Sequence, residues 1–306
     1  MPNNPQTPPA SWFALPDHRL VALSGRDAMA FAQAQTMNDV AALRDGDWHW
    51  NGWLTPKGRV IALFALVRLD ANTLWIVLPD ADADAIATQL RRFVFRSKVA
   101  ITVRDDLRVA GRLRASDLAS GNHWAGEPSD AIELDLSGDP GSSSPGRSLR
   151  IAAAKQASEA AAGVEAWRRA DLEHGWPRLE PGQSGLWTPQ QLSLDRLHAY
   201  SVKKGCYPGQ EIVARTHFLG QAKRGLALVR TAPPLSAGAE LSLADTVVGT
   251  VISACGNTAL AILPLDLPPQ ASDPKTIDPP EPQTDESPAL GGAFWTIEPL
   301  RAGLSR

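Results

Sequence analysis

The chain has 306 residues, 30 Lys and Arg against 33 Asp and Glu, a formal net charge of −3, and 43% apolar residues. That length supports two or three domains with ample cores, and the charge gives no global basic field for nucleic acid. The only cysteines are Cys206 and Cys255, and no Cys/His cluster has zinc spacing, so neither a disulfide framework nor a self-contained metal site is expected.

Residues 1–10 are polar and proline-rich, lack the basic and apolar regions of a secretory signal, and read as a disordered tail. No apolar run approaches the ~20 residues of a membrane helix; the longest, Val60–Val67, is strand-sized, and the expectation is a cytoplasmic protein. An N-terminal α+β domain is expected over 11–115. Residues 11–15 and 20–23 read as short strands around a Pro-Asp-His turn. Ser24-Gly25-Arg26-Asp27 resembles a capping box with Asp for Glu, opening a helix with Ala28, Phe31, Ala32 and Gln35 on one face. Trp48–Leu54 alternates as a strand, Thr55–Arg59 turns, and Val60–Val67 is a buried strand with Thr73–Leu78 as hairpin partner. A helix is predicted over 80–96. Asp80, Asp82 and Asp84 stand at its start and Arg91 and Arg92 near its end, with Ile86, Leu90, Phe93 and Val94 at core spacing. Strands at 99–103 and 107–111 complete an α+β pattern with largely antiparallel sheets.

A central α+β domain is expected over 116–216. Residues 115–147 are rich in Ser, Gly, Asp and Pro and read as loops around one strand, 131–134, with a flexible loop at 138–146. A strand follows at 149–152, then a helix over Val164–Glu173 ended by His174-Gly175-Trp176-Pro177. Trp187–Asp195 reads as extended and packed on the core. Phosphate-binding glycine loops and nucleophile elbows are absent. From 217 onward, short strands (226–230, 239–243, 246–254, 258–264, 293–298) suggest a small antiparallel β-barrel. It is interrupted by a Pro-, Asp- and Ser-rich insertion, 267–289, that reads as disordered. Cys255 follows an apolar run and reads as a buried strand end.

The densest chemistry is Lys203-Lys204-Gly205-Cys206-Tyr207-Pro208-Gly209-Gln210-Glu211. Gly205 and Pro208-Gly209 are turn signals. Gln210–Arg215 begins a short helix, with Glu211 suited to its positive end. Cys206 then precedes a helix N-terminus with two lysines nearby, features that favour a thiolate. One reading is a reactive or ligating thiolate in a polar pocket; the other is a buried structural cysteine in a tight loop. The crowd of charged neighbours favours the first.

Lys204-Gly205-Cys206-Tyr207-x-Gly209-Gln210-Glu211, followed by Val213-Ala214-Arg215, resembles the signature of the YgfZ family. These are folate-binding proteins related to the T-protein (aminomethyltransferase) of the glycine cleavage system. Bacterial members are called tRNA-modifying proteins, and mitochondrial relatives help assemble iron–sulfur clusters. Gln33–Val40, Lys57-Gly58-Arg59, Arg168–Pro177, Pro189–Asp195 and Thr216–Leu226 carry further resemblance. It implies a T-protein-like arrangement of domains around a central folate pocket that takes tetrahydrofolate or a derivative. It also implies folate contacts at Lys57, Glu173, Lys204, Gly205, Tyr207, Gly209, Gln210, Glu211 and Arg215. On this resemblance Cys206 is the functional thiol, with three roles open to it: holding a cluster transiently, resolving an oxidised partner, or taking part in a folate-linked one-carbon step.

By chemistry alone, Glu173 is equally a helix-end carboxylate paired with Arg169; Lys57 is either an exposed hairpin tip or a cation for the folate's glutamate tail, and Gln35, Thr36 and Asp39 read as helix-end capping. The T-proteins depend on an acidic pair after the first glycine turn; here those positions are Ala62-Leu63, which argues against aminomethyl transfer. The leading expectation is a folate-binding accessory protein for iron–sulfur cluster assembly or repair, with an indirect effect on tRNA modification. Its partners are folate and iron–sulfur proteins or assembly factors, with no direct nucleic acid and no membrane. The alternatives are a folate-dependent one-carbon transferase and a folate-independent thiol redox protein.

Overall fold

Alternating and continuous apolar runs set strands throughout the chain, seen here in a computed structural model that describes residues 11–138, 146–154, 163–220, 222–243, 246–267 and 294–306. The expected tail at 1–10, nearly all of the 138–146 loop and nearly all of the 267–289 insertion lie outside the described residues. The first part of the chain runs β1 (Phe13–Ala14), β2 (Arg19–Ser24), α1 (Ala28–Gln35), β3 (Trp48–Leu54), β4 (Val60–Asp70), β5 (Thr73–Leu78), α2 (Ala83–Arg91), β6 (Ala100–Val103) and β7 (Leu107–Arg112). Then come β8 (Ala125–Glu127), β9 (Ala131–Asp135), β10 (Ser148–Ala153), α3 (Val164–Glu173) and α4 (Gln210–Leu219). The chain closes with β11 (Arg224–Ala232), β12 (Glu240–Leu243), β13 (Thr246–Cys255), β14 (Thr258–Pro264) and β15 (Phe294–Glu298).

These strands form three five-stranded sheets, ordered β3-β4-β5-β2-β6, β1-β7-β10-β9-β8 and β12-β13-β14-β11-β15. The pairings within them are antiparallel. β4 is an unbroken apolar run because both faces of its sheet are covered. Ala62, Phe64 and Leu66 pack on one side with Phe31 of α1 and Ile86 and Leu90 of α2. Leu63, Ala65 and Val67 face a second core that continues through all three sheets, from Phe13 and Ile151 to Leu228 and Ile262. Each such large side chain, fully buried, contributes on the order of 1.5–3 kcal/mol.

α3 lies between the second and third sheets. Its Trp167 meets Phe13 edge-on at 6.2 Å, and a Cβ on Gly111 of β7 would sit 2.8 Å from the same indole. On the other side, the Cys255 thiol reaches the Glu165 carbonyl at 3.4 Å. β7 pairs with β10, so the second sheet draws strands from both sides of the expected boundary at 115/116.

Several expectations are corrected. The third sheet is a half-barrel rather than a closed barrel. Among the described residues β12 and β15 share no ladder, and the Trp295 indole spans to the Ser242 carbonyl instead (3.1 Å). The helix predicted over 80–96 is only Ala83–Arg91. Asp82 caps it, accepting from the Asp84 and Ala85 N–H groups, while Asp80 turns away to Arg178. Phe93, expected in the core, lies past the helix end and is 49% exposed, edge-on to Trp53. Asp27 caps nothing in α1; its carboxylate accepts from the Lys98 N–H (2.6 Å). Trp187–Asp195 is a series of turns rather than an extended segment, with Leu192 and Leu194 buried.

Candidate functional site

The Cys206 loop is built from inside outward. Ser201 Oγ accepts from the backbone N–H of Lys203 and Lys204 (both 3.2 Å), a side-chain turn that fixes the direction of the chain. Lys204, 6% exposed, therefore points inward. Its Nζ donates to the carbonyls of Thr36 (2.6 Å) and Asn38 (2.9 Å) beyond the end of α1 and lies 5.0 Å from the Tyr207 ring centre. Burial pushes this ammonium down to about 8, opposed by Asp39. Tyr207 donates to the Ser201 carbonyl (3.2 Å), and burial raises its phenol. The Gln210 amide donates to the Lys204 carbonyl (3.0 Å), tying the loop to the first turn of α4.

A second clamp is backbone against backbone. Gly209 stands at φ +80°, and a Cβ there would sit 2.6 Å from the Thr55 carbonyl and 2.7 Å from Gly58 Cα. Gly58, at φ +67°, has room for a Cβ only by displacing Ile212 of α4. Glycine is required at both, by conformation and by contact. The Lys57-Gly58-Arg59 turn and the Cys206 loop thus interlock. Arg59 extends the joint, donating to the Leu186 carbonyl and Gln191 Oε1 (both 3.1 Å).

Beneath Lys204 lies a polar network that sequence reasoning missed. Asn51 Oδ1 accepts from the Asn38 and Gly52 N–H groups (2.9 and 2.8 Å), which fixes the amide orientation. Asn51 Nδ2 then donates to Thr36 Oγ1 (3.0 Å) and to His49 Nε2 (3.1 Å). His49 Nε2 must therefore be the unprotonated nitrogen. Burial, then the Lys204 charge, bring this imidazole down to about 3, so it is neutral at ordinary pH. Asn38 Nδ2 donates to the carbonyls of Trp50 (2.8 Å) and His198 (2.6 Å). The signal was available: residues 49 and 51 are two apart on a strand and share a face.

Cys206 itself is exposed, and both cysteines are free. Of its two neighbouring lysines, Lys204 is turned inward; Lys203, Lys57 and Arg215 are exposed, as is Glu211 in the first turn of α4. Among the described residues, no group of three or more His, Cys, Asp or Glu side chains is arranged to hold a metal ion. The fold thus gathers Lys57, Lys204, Gly205, Cys206, Tyr207, Gly209 and Gln210 at one joint. Glu173 is elsewhere. Its carboxylate pairs with Arg301 (2.9 Å) and Arg230 (3.5 Å), and its carbonyl accepts from the Arg301 N–H, which ties α3 to the third sheet and the C-terminal segment. Arg169, its expected partner, pairs with Glu165 instead.

The other face of β3 looks into the centre of the molecule. Trp48 and Trp50, with Trp167, Trp176, His18 and Asp171, wall a cavity whose open space, about 20 Å³, is that of one water. Asp171 is held by Arg147 (2.6 Å) and Arg178 (3.0 Å), and Arg178 also grips Asp80. Among the described residues several buried nitrogens have no partner: the donors Arg147 Nε and Nη2 and Trp48 Nε1, and the ring nitrogen His18 Nδ1. Burial, then Arg178, Arg147 and Arg168, hold His18 well below its usual value. Orphaned donors beside flat indole walls suit a planar heterocycle with ring acceptors. A bicyclic ring enters only if a wall side chain moves.

This architecture defines a class. The chain superposes on the glycine cleavage system aminomethyltransferase T of Bartonella henselae with a TM-score of 0.64 at 16% identity, covering 83% of this chain and 78% of that one. The fold is therefore that of the T-proteins. No family model matches the chain. It is 30% identical over 238 residues to the tRNA-modifying protein YgfZ of Cronobacter sakazakii (71% of this chain, 70% of that protein). It is 29% identical over 266 residues to its Klebsiella pneumoniae counterpart (80% of this chain, 81% of that protein). The chain belongs to the YgfZ family.

Proposed function

We propose that this protein binds a reduced folate at its centre and presents Cys206 as a working thiol in the assembly or repair of iron–sulfur clusters. Tryptophan walls and orphaned donors would hold a pterin ring, and Lys57 and Arg215 are exposed cations suited to its glutamate carboxylates. Glu173, the carboxylate expected at the pterin, is engaged by Arg230 and Arg301. When bound, a reduced folate supplies an electron-rich ring and a carrier for one-carbon groups. The chain's own residues position the thiol. The observation that carries the reading is an exposed Cys206 on a loop immobilised by a buried lysine and two interlocked glycines. A thiol kept only for packing would be inside. One thiolate completes a cluster's coordination only when other ligands come from a partner or small thiol, so the protein acts with others. On this reading the effect on tRNA runs through iron–sulfur enzymes that modify it. One-carbon transfer is not favoured, since Ala62 and Leu63 are both buried apolar side chains in β4.

The test is anaerobic calorimetry with tetrahydrofolate on wild type and Cys206→Ser. Both are expected to bind alike and to melt alike, while only wild type sustains iron–sulfur enzyme activity in cells lacking the protein. Absence of binding to either sinks the folate reading; a large fall in melting temperature for Cys206→Ser makes the thiol structural.

A further inference from the structure

The net charge of −3 conceals a local concentration. Residues 85–104 contain four arginines and a lysine and no acid. From the last residue of α2 the chain reads Arg91-Arg92-Phe93-Val94-Phe95-Arg96-Ser97-Lys98, and it is firmly held. The Arg91 guanidinium donates twice to the Ile101 carbonyl (2.8 and 3.1 Å), Val94 packs against the helix-side core, and Asp27 accepts from the Lys98 N–H. Arg96 adopts φ +61°, a left-handed conformation rare for a side-chain-bearing residue. The rest of the segment faces outward. Phe95 is 76% exposed and Phe93 49%, with the Arg96 guanidinium 5.1 Å from the Phe95 ring centre. Arg92, Arg96 and Lys98 are exposed, and their side chains enter no ion pair among the described residues.

We propose that this aromatic–cationic surface docks an unpaired strand of RNA. Successive bases have flat faces that stack on exposed rings and guanidinium planes, and the phosphates between them seek cations; alternation of the two is the pattern single-stranded nucleic acid requires. An acidic peptide satisfies the cations but leaves both rings in water. The surface also connects to the thiol loop. Phe93 lies edge-on to Trp53 at 6.0 Å, Trp53 is bridged to Thr36, and the Thr36 carbonyl holds Lys204, two residues from Cys206. The inference goes beyond the function proposed above, in which any effect on tRNA runs through other enzymes. It also departs from the sequence expectation of no direct nucleic acid.

The test is fluorescence polarisation of a labelled single-stranded RNA of about 12 nucleotides, within the usual site size, at several salt concentrations. Competitors are duplex RNA, the equivalent DNA strand and poly-glutamate. Wild type is expected to bind the unpaired RNA. Phe95→Ala should weaken binding about tenfold or more, and the double variant Arg92→Ala/Arg96→Ala should flatten the dependence of log K on log salt by roughly 1.4. Melting temperatures should be unchanged, since these side chains are exposed. No binding at low salt, or variants that bind like wild type, overturns the proposal. So does stronger competition by the DNA strand, and equal competition by poly-glutamate reassigns the surface to an acidic protein. Titrating the same preparations with tetrahydrofolate separates failure here from failure of the folate reading.

Discussion

Replacing Lys204 with methionine tests whether the Cys206 loop is held for position rather than for stability. Methionine keeps most of the volume and removes the ammonium. Two carbonyls, Thr36 and Asn38, then lose their donor, each at a cost of about 1–3 kcal/mol. Against this stands the penalty of a buried charge. Lys204 falls from an ordinary 10.5 to about 8 on folding, which at 1.36 kcal/mol per pH unit disfavours the folded state by roughly 3 kcal/mol near neutrality. The two effects largely offset, so Lys204→Met should change unfolding free energy at pH 7 by between a gain of about 1 and a loss of about 3 kcal/mol.

The pH dependence is the sharper readout. Because the folded pKa is the lower one, the unfolded chain binds more protons between the two values, and stability rises with pH through that window. Linkage gives wild type a gain of roughly 1.5 kcal/mol over Lys204→Met between about pH 8 and pH 9.5. Urea unfolding at both pH values, on both proteins, isolates this difference from other titrating groups. Amide exchange over Gly205–Gly209 should quicken in the variant. Parallel pH curves for the two proteins would refute the buried-ammonium argument, and a loss above about 4 kcal/mol would mean that Lys204 holds up far more than one loop.

Two further substitutions probe the frame. Gly209→Ala must accommodate a Cβ against the Thr55 carbonyl at positive φ, whereas a Cβ at Gly205 meets nothing within 4 Å. The first should lower the melting temperature markedly and the second hardly at all, and equal effects would remove the interlock from the account. Asp171→Asn leaves the buried Arg147 and Arg178 short of a counter-charge and should cost about 3–5 kcal/mol. Arg169→Ala, at an exposed pair with Glu165, should cost within about 1 kcal/mol; chemical denaturation compares them.

Legibility in the sequence followed locality. The helix Val164–Glu173 matches its predicted bounds because an amphipathic run and a glycine stop both lie within it or beside it. The β4–β5 hairpin was equally visible in its apolar runs. Where sequence reasoning failed, the deciding contact came from afar. Asp27 reads as a cap until Lys98 claims it; Asp80 reads as a helix-start charge until Arg178 claims it; Glu173 reads as a partner for Arg169 until Arg301 and Arg230 arrive from the chain's last third. The Cys206 motif was legible as a cluster of chemistry. That Lys204 would serve the end of α1 rather than the thiol was not, because the Thr36 carbonyl that takes it is 168 residues away.

β3 explains why these parts belong to one device. Its outward alternation sends Trp48 and Trp50 into the central cavity and turns His49 and Asn51 toward the network beneath Lys204. On that second face the Trp50 carbonyl accepts from the Asn38 side-chain amide, and the Asn38 carbonyl accepts from the Lys204 ammonium. His49, neutral through ordinary pH, keeps that network from switching with small changes in acidity. The wall of the central cavity and the support of the exposed thiol loop are therefore built on the two faces of one strand.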